Sequence, residues 1–121
     1  MTERRKLANI SEAMKEWSAL LGTEVADWPG VTERKMFGMI AYFRKGQIFA
    51  ALPRTKCFDT PQSFAIKLYR ITTAARKLLD SFGRSSPAMG DKWIAVEIRG
   101  PQDLGDAVKL LHQAYAAATS K

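Results

Sequence analysis

Apolar residues recur at three- and four-residue steps between Asn9 and Leu21. Ile10, Ala13, Met14, Trp17, Leu20 and Leu21 form one stripe, and Glu12, Lys15, Glu16 and Ser18 lie elsewhere on the wheel. This spacing predicts a core-facing amphipathic helix, capped by Asn9 or Ser11 and stopped at Gly22. Trp28-Pro29-Gly30 reads as a turn, and beyond it the period changes to two. Val31–Met36 is a predicted strand. Met39–Phe43 and Gln47–Leu52 are two more, joined as a hairpin through Arg44-Lys45-Gly46 with Gly46 at positive φ. Arg54–Ser63, bordered by Pro53 and Pro61, reads as a loop or short irregular strand, and Phe64–Tyr69 as a further strand.

Thr72 or Thr73 caps a second predicted helix, with Ala75, Leu78, Leu79 and Phe82 as its stripe and Gly83 as its end. A loop over 84–90 leads to a strand over Trp93–Ile98, in which Ile94, Val96 and Ile98 alternate with Trp93, Ala95 and Glu97. Gly100-Pro101 opens the last helix, whose Leu104, Val108, Leu111 and Tyr115 keep helical spacing. Consecutive hairpin strands rather than βαβ units imply an α+β fold. The expected order is α-β-β-β-β-α-β-α, with helices packed on a mainly antiparallel sheet, in a single domain over residues 1–121. Neither G-x-G-x-x-G nor a phosphate-binding G-x-x-x-x-G-K-S/T is present, so a nucleotide-binding α/β sheet is not expected.

Several residues carry a resemblance. Glu33-Arg34-Lys35-Met36-Phe37-Gly38, the hairpin around Gly46 with Phe49, Phe64-Ala65-Ile66-Lys67-Leu68, Met89-Gly90 before Trp93, and Ala114-Tyr115 follow one another in order. Together they resemble the N-terminal domain of the TfoX competence-regulator family, within the MmcQ/YjbR-like group of small α+β domains. The likeness covers about residues 9–118, with a core in Arg34-Lys35-Met36-Phe37-Gly38. Met39 stands where members often carry a second glycine, and the helical second domain of full-length competence regulators has no counterpart in these residues. The resemblance implies the fold and a non-catalytic regulatory or adaptor role. Gly38 itself is expected to kink the chain between strands.

Charge adds a second line of inference. The 121 residues hold 19 Lys and Arg against 12 Asp and Glu, a net charge of +7. From Arg34 to Arg84 there are eleven bases and two acids, so the surplus lies in the predicted sheet and second helix. Arg34, Lys35, Arg44, Lys45, Arg54, Lys56, Arg76 and Lys77 are the candidates for binding nucleic acid or another anion, with Lys67, Arg70 and Arg84 in the same span. Tyr42, Phe43, Phe49, Phe58 and Tyr69 interleave with them, as in single-strand stacking platforms. About five phosphate contacts would give a salt slope near −4.5 on duplex DNA.

Catalytic chemistry has little to work with. Cys57 and His112 are single residues of their kinds, so a disulfide within the chain is excluded and a dyad between them is the sole cysteine–histidine pairing. Asp103 and Asp106, three apart at the start of a helix, favour its N-terminus electrostatically and make no metal site alone. No catalytic residue, metal or cofactor is assigned.

With no membrane-spanning run and no signal-peptide core after Arg4-Arg5-Lys6, the expected compartment is cytoplasmic. The expected partners are a protein or a nucleic acid, with no membrane, and the expected state is a monomer or small homo-oligomer. Three functions follow in order: a regulatory or adaptor domain, a nucleic-acid-binding module, and an enzyme or binder of a small anionic ligand.

Overall fold

A computed structural model describes residues 7–36, 38–58, 60–82, 85–87 and 92–118. The strands of five or more residues are β2 (Val31–Met36), β3 (Met39–Arg44), β4 (Gln47–Pro53), β6 (Ser63–Lys67) and β8 (Trp93–Glu97). With helices α1 (Glu12–Ala26), α2 (Thr73–Ser81) and α3 (Leu104–Ala117) they run α-β-β-β-β-α-β-α, the expected α+β order. Three short strands complete the set: β1 (Leu7–Asn9), β5 (Lys56–Phe58) and β7 (Ser85–Pro87). The main sheet has six strands in the order β2-β3-β4-β6-β8-β7, every neighbour antiparallel, while β1 and β5 pair as a separate ribbon.

Local chemistry explains most boundaries. The Ser11 hydroxyl accepts from the Met14 N–H at 3.1 Å and starts α1. Thr72 does the same for α2 through the Ala75 N–H at 3.0 Å. The β3–β4 turn is shorter than expected: Arg44 pairs directly with Gln47, leaving only Lys45 (φ 53) and Gly46 (φ 80) between the strands. Two positive φ values in a two-residue loop define a type I′ turn, whose twist matches the strands. Gly38 also has positive φ (77), and its carbonyl accepts from the Arg54, Thr55 and Lys56 N–H groups at 2.9, 2.9 and 3.2 Å. The expected kink is therefore the anchor of the β4–β5 turn.

Helix α1 and the 84–90 loop differ from the expectation, and the 54–63 segment takes the short-strand form of its two expected forms. Helix α1 continues four residues beyond Gly22, because its buried face is Met14, Ser18, Leu21 and Val25; Leu20 is 60% exposed. The Arg54–Ser63 segment holds β5, which β1 completes from the other end of the chain. The expected 84–90 loop contains β7, paired to β8. Gly83, Arg84, Phe37 and Met89-Gly90 lie outside the described residues. Pro101 opens a 3-10 turn (Pro101–Asp103) that leads into α3.

The helices cover one face of the sheet. Tyr42, Phe49, Leu52, Phe64, Ile66 and Val96 pack there with Met14, Leu21 and Val25 of α1 and Leu110, Leu111 and Ala114 of α3. The opposite face has a small core of its own. Ala41, Ala51, Ala65 and Ala95 are in register as a row across four strands, with Met39 and Trp93 buried beside them. Among the described residues no helix packs on this second face, and none is long and apolar enough to cross a membrane.

Candidate functional site

The basic residues divide by strand parity. Arg34 stands across from Ala41 and so belongs to the alanine face, where its guanidinium lies 5.5 Å from the centre of the Phe43 ring. Lys67, across from Trp93, shares that face and sets its ammonium 5.1 Å from the Tyr69 ring centre. Lys35 is opposite Ile40, on the helix side of the edge strand. Arg44 is occupied: its guanidinium lies 4.1 Å over the Tyr115 ring, and Nη1 donates to the Tyr115 carbonyl at 2.9 Å, near the end of α3. Lys45 sits exposed at the hairpin turn. Lys56 donates to the Asn9 side chain at 2.6 Å, across the β1–β5 ribbon. Arg76 and Lys77 are exposed on α2. With Arg54 exposed in the β4–β5 turn, the eight candidates thus occupy both faces, the hairpin tip, that turn, the ribbon and α2 rather than one surface.

Cys57 and His112 occupy opposite ends of the molecule. Cys57 is 1% exposed, donates to the Pro61 carbonyl at 3.3 Å, and pairs with Ala8, beside the start of α1. Burial pushes its thiol pKa up, against hydrogen bonding with Ser63, so the thiolate is disfavoured. His112 lies edge-on to Trp28, 5.1 Å between ring centres, just past the end of α1. The 15 residues of α1 separate them by about 22 Å at 1.5 Å per residue. They form no dyad. Asp103 is also committed: it receives the Arg99 N–H at 2.9 Å and two guanidinium hydrogen bonds at 3.0 and 3.1 Å. Among the described residues no group of three His, Cys, Asp or Glu could hold a metal ion.

A different place gathers chemistry. Helix α1 meets β4, where the Ser18 hydroxyl donates to the Pro53 carbonyl at 2.6 Å, and leaves the β2–β3 side of the sheet partly uncovered. The resulting cleft, about 510 Å³, has Ile40, Tyr42 and Leu52 as its floor and Ala19, Gly22 and Ala26 as one wall. Lys15 and Arg54 stand at one end and Glu33 on the outer rim. Tyr42 is only 3% exposed, yet no described residue hydrogen-bonds its hydroxyl, which opens into the cleft. Burial, with Glu33 adding to it, pushes the Tyr42 pKa up to about 12, so the group is a neutral O–H donor or acceptor at neutral pH.

Gly22 makes this possible, since a Cβ there would come within 2.8 Å of the Tyr42 hydroxyl oxygen. Sequence reasoning includes Arg54 among the anion-binding candidates and Tyr42 as an interleaved stacking aromatic, but neither Lys15 nor Glu33. Its available signal is a glycine inside the apolar stripe of a helix, which marks a close approach as readily as a helix end.

A second groove, about 560 Å³, lies among the three helices, lined by Glu24, Trp28, Lys77, Lys109, His112 and Gln113 among others. Three of its polar residues are engaged: the Trp28 indole N–H donates to Glu24 at 3.2 Å, and the Thr72 hydroxyl donates to Gln113 at 3.1 Å. No family model matches the chain, and neither does any curated protein or solved structure.

Proposed function

We propose that the chain is a cytoplasmic, non-catalytic regulatory or adaptor domain of the TfoX N-terminal kind, acting through reversible recognition at the α1–sheet cleft. One observation carries the reading. A buried tyrosine keeps its hydroxyl without a described partner and directed into a concavity with charged ends. The hydroxyl thus leaves a donor and an acceptor open to a ligand inside a concavity, as the few polar groups of a recognition site do. The burial of Cys57 and its distance from His112 support recognition over bond chemistry. On this reading the domain works as a monomer or small homo-oligomer with a protein partner or a small ligand, and with no membrane.

The test is a nuclear magnetic resonance screen of the labelled protein against a library of dipolar and anionic small molecules. Amide shifts of Gly22, Thr23, Tyr42 and Arg54 in response to library members support the cleft as the recognition site. A library that never perturbs these amides refutes it.

Nucleic-acid binding is the second reading, favoured by a specific group of cations. Arg34 and Lys67 share the alanine face, and Lys45 and Arg70 lie exposed at the end of the sheet to which Lys67 belongs. Phe43 and Tyr69 each have a cation near the ring, so phosphate contact rather than base stacking is the mode this group would use. About three contacts correspond to a salt slope near −3 on duplex DNA. Fluorescence anisotropy across a salt series measures that slope, and a flat response removes this reading.

A further inference from the structure

The two margins of the main sheet differ. β7 has three residues and ends in Pro87, which lacks an N–H. β2 has six, and Thr32, Glu33, Arg34 and Lys35 are exposed along it. The Val31 N–H donates to the Trp28 carbonyl at 3.3 Å, so it is turned away from β3. Backbone groups alternate in direction along an antiparallel strand, so Glu33 and Lys35 also present theirs to the free margin. The Glu33 and Lys35 side chains lie on the helix side of the sheet, across from Tyr42 and Ile40. Neither has an ion-pair partner among the described residues.

A second copy can pair with this margin in the antiparallel sense, about a two-fold axis normal to the sheet. Both copies then keep the same face up, so each residue meets one of its own parity. An axis through Glu33 or through Lys35 sets that charge against its own copy, and an axis through Thr32 pairs only the start of the strand. An axis through Arg34 behaves differently. It places Glu33 of each copy opposite Lys35 of the other and pairs the whole stretch from Thr32 to Met36. These two positions turn their backbone groups outward, so each charge pair also exchanges backbone hydrogen bonds. The two Arg34 side chains meet on the alanine face, but each guanidinium is drawn back from the margin toward its own Phe43 ring on β3, 5.5 Å from the ring centre. We infer that the protein forms a two-fold dimer through β2, in which reciprocal Glu33–Lys35 pairs set the register and the two main sheets join into one.

Sedimentation velocity on the full chain, over a concentration series at low ionic strength, is expected to show a reversible monomer–dimer equilibrium that added salt weakens. Amide hydrogen exchange at Glu33 and Lys35 should slow as the dimer fills, whereas exchange at Arg34, whose N–H faces β3, should not change. Glu33→Lys and Lys35→Glu each set like charges across both pairs, and each is expected to raise the dimer Kd at least about tenfold. Both positions are exposed, so the thermal midpoints of the dilute variants should stay near that of the parent. The variant carrying both changes restores opposite charges and should recover the parent Kd within about threefold. An equimolar mixture of the two single variants should form a mixed dimer. A parent protein that stays monomeric throughout overturns the inference, as does a dimer whose Kd the single variants leave unchanged. A double variant as weak as the single ones overturns it too. None of these outcomes depends on the α1–sheet cleft binding a ligand.

Discussion

Asp103 shows how a residue's role depends on partners that local sequence does not reveal. Its place before α3 suggests a favourable charge at a helix N-terminus, but its side chain makes no capping hydrogen bond and is held by Arg99. The Arg99 guanidinium holds the Asp103 carboxyl below the usual carboxylate range, the Arg99 N–H adds to this, and burial opposes it. With the folded pKa depressed, the native state binds fewer protons than the unfolded chain near pH 4. The stabilisation is therefore complete above the unfolded value and is lost as pH falls through the folded one. Asp103→Asn is expected to lower the thermal midpoint at pH 7, and the gap from the parent protein should close as pH falls below about 4. A pH series of melting curves checks this. Arg44 is a parallel case, since nothing near it in sequence announces a bond to the carbonyl of Tyr115.

At the scale of elements, the regular helices and the long strands were legible because their periodicity is local. Helix α1 was legible in existence, start and most of its stripe, since Ile10, Met14, Trp17 and Leu21 lie in or against the core, but not at Leu20 or at its end. Leu20 sits within the three- and four-residue spacing and still faces outward, while Val25, beyond the supposed stop, is buried. Leu20→Lys is expected to change stability by no more than about 0.5 kcal/mol, and Leu21→Ala to cost about 2–5 kcal/mol. Chemical denaturation of the two variants distinguishes the observed phase from the alternative.

Gly22 supplies a sharper test. Alanine inside a helix is ordinarily more stable than glycine by about 0.5–1 kcal/mol, but here its Cβ would press on the Tyr42 oxygen. Gly22→Ala should therefore stabilise the Tyr42→Phe protein by about that amount and the parent protein by less, as a double-mutant cycle of denaturation energies would reveal. The strands β1, β5 and β7 were not legible as a set. Each is three residues long, too short to show alternation, and each is defined by a partner elsewhere in the chain.

The whole molecule is tied together through Tyr115. Its ring lies 5.1 Å from Trp28 and 5.7 Å from Phe49, its hydroxyl donates to the Pro29 carbonyl at 2.7 Å, and Arg44 covers its face. One side chain near the end of α3 thus joins the turn after α1, the β3–β4 hairpin and the sheet. Tyr115→Ala is expected to cost about 3–5 kcal/mol, the range for removing a large buried ring. The loss should appear in a single cooperative transition followed by fluorescence and circular dichroism together.

The candidate site was legible only in part for a related reason. A run of cations can be counted in sequence, but the face each one takes depends on register. Adjacent strand residues such as Arg34 and Lys35 point to opposite sides of the sheet. The cleft depends instead on where α1 crosses the sheet, a property of packing that composition does not carry.

The outermost strand β2 exposes Thr32, Glu33, Arg34 and Lys35 in succession, with charge on both of its sides. A free sheet margin invites accretion of further copies, and mixed charge discourages an identical neighbour from settling in any alignment but the one centred on Arg34. The ionic makeup of these few positions therefore bears on how concentrated the protein can become before it clumps, whatever the domain recognises.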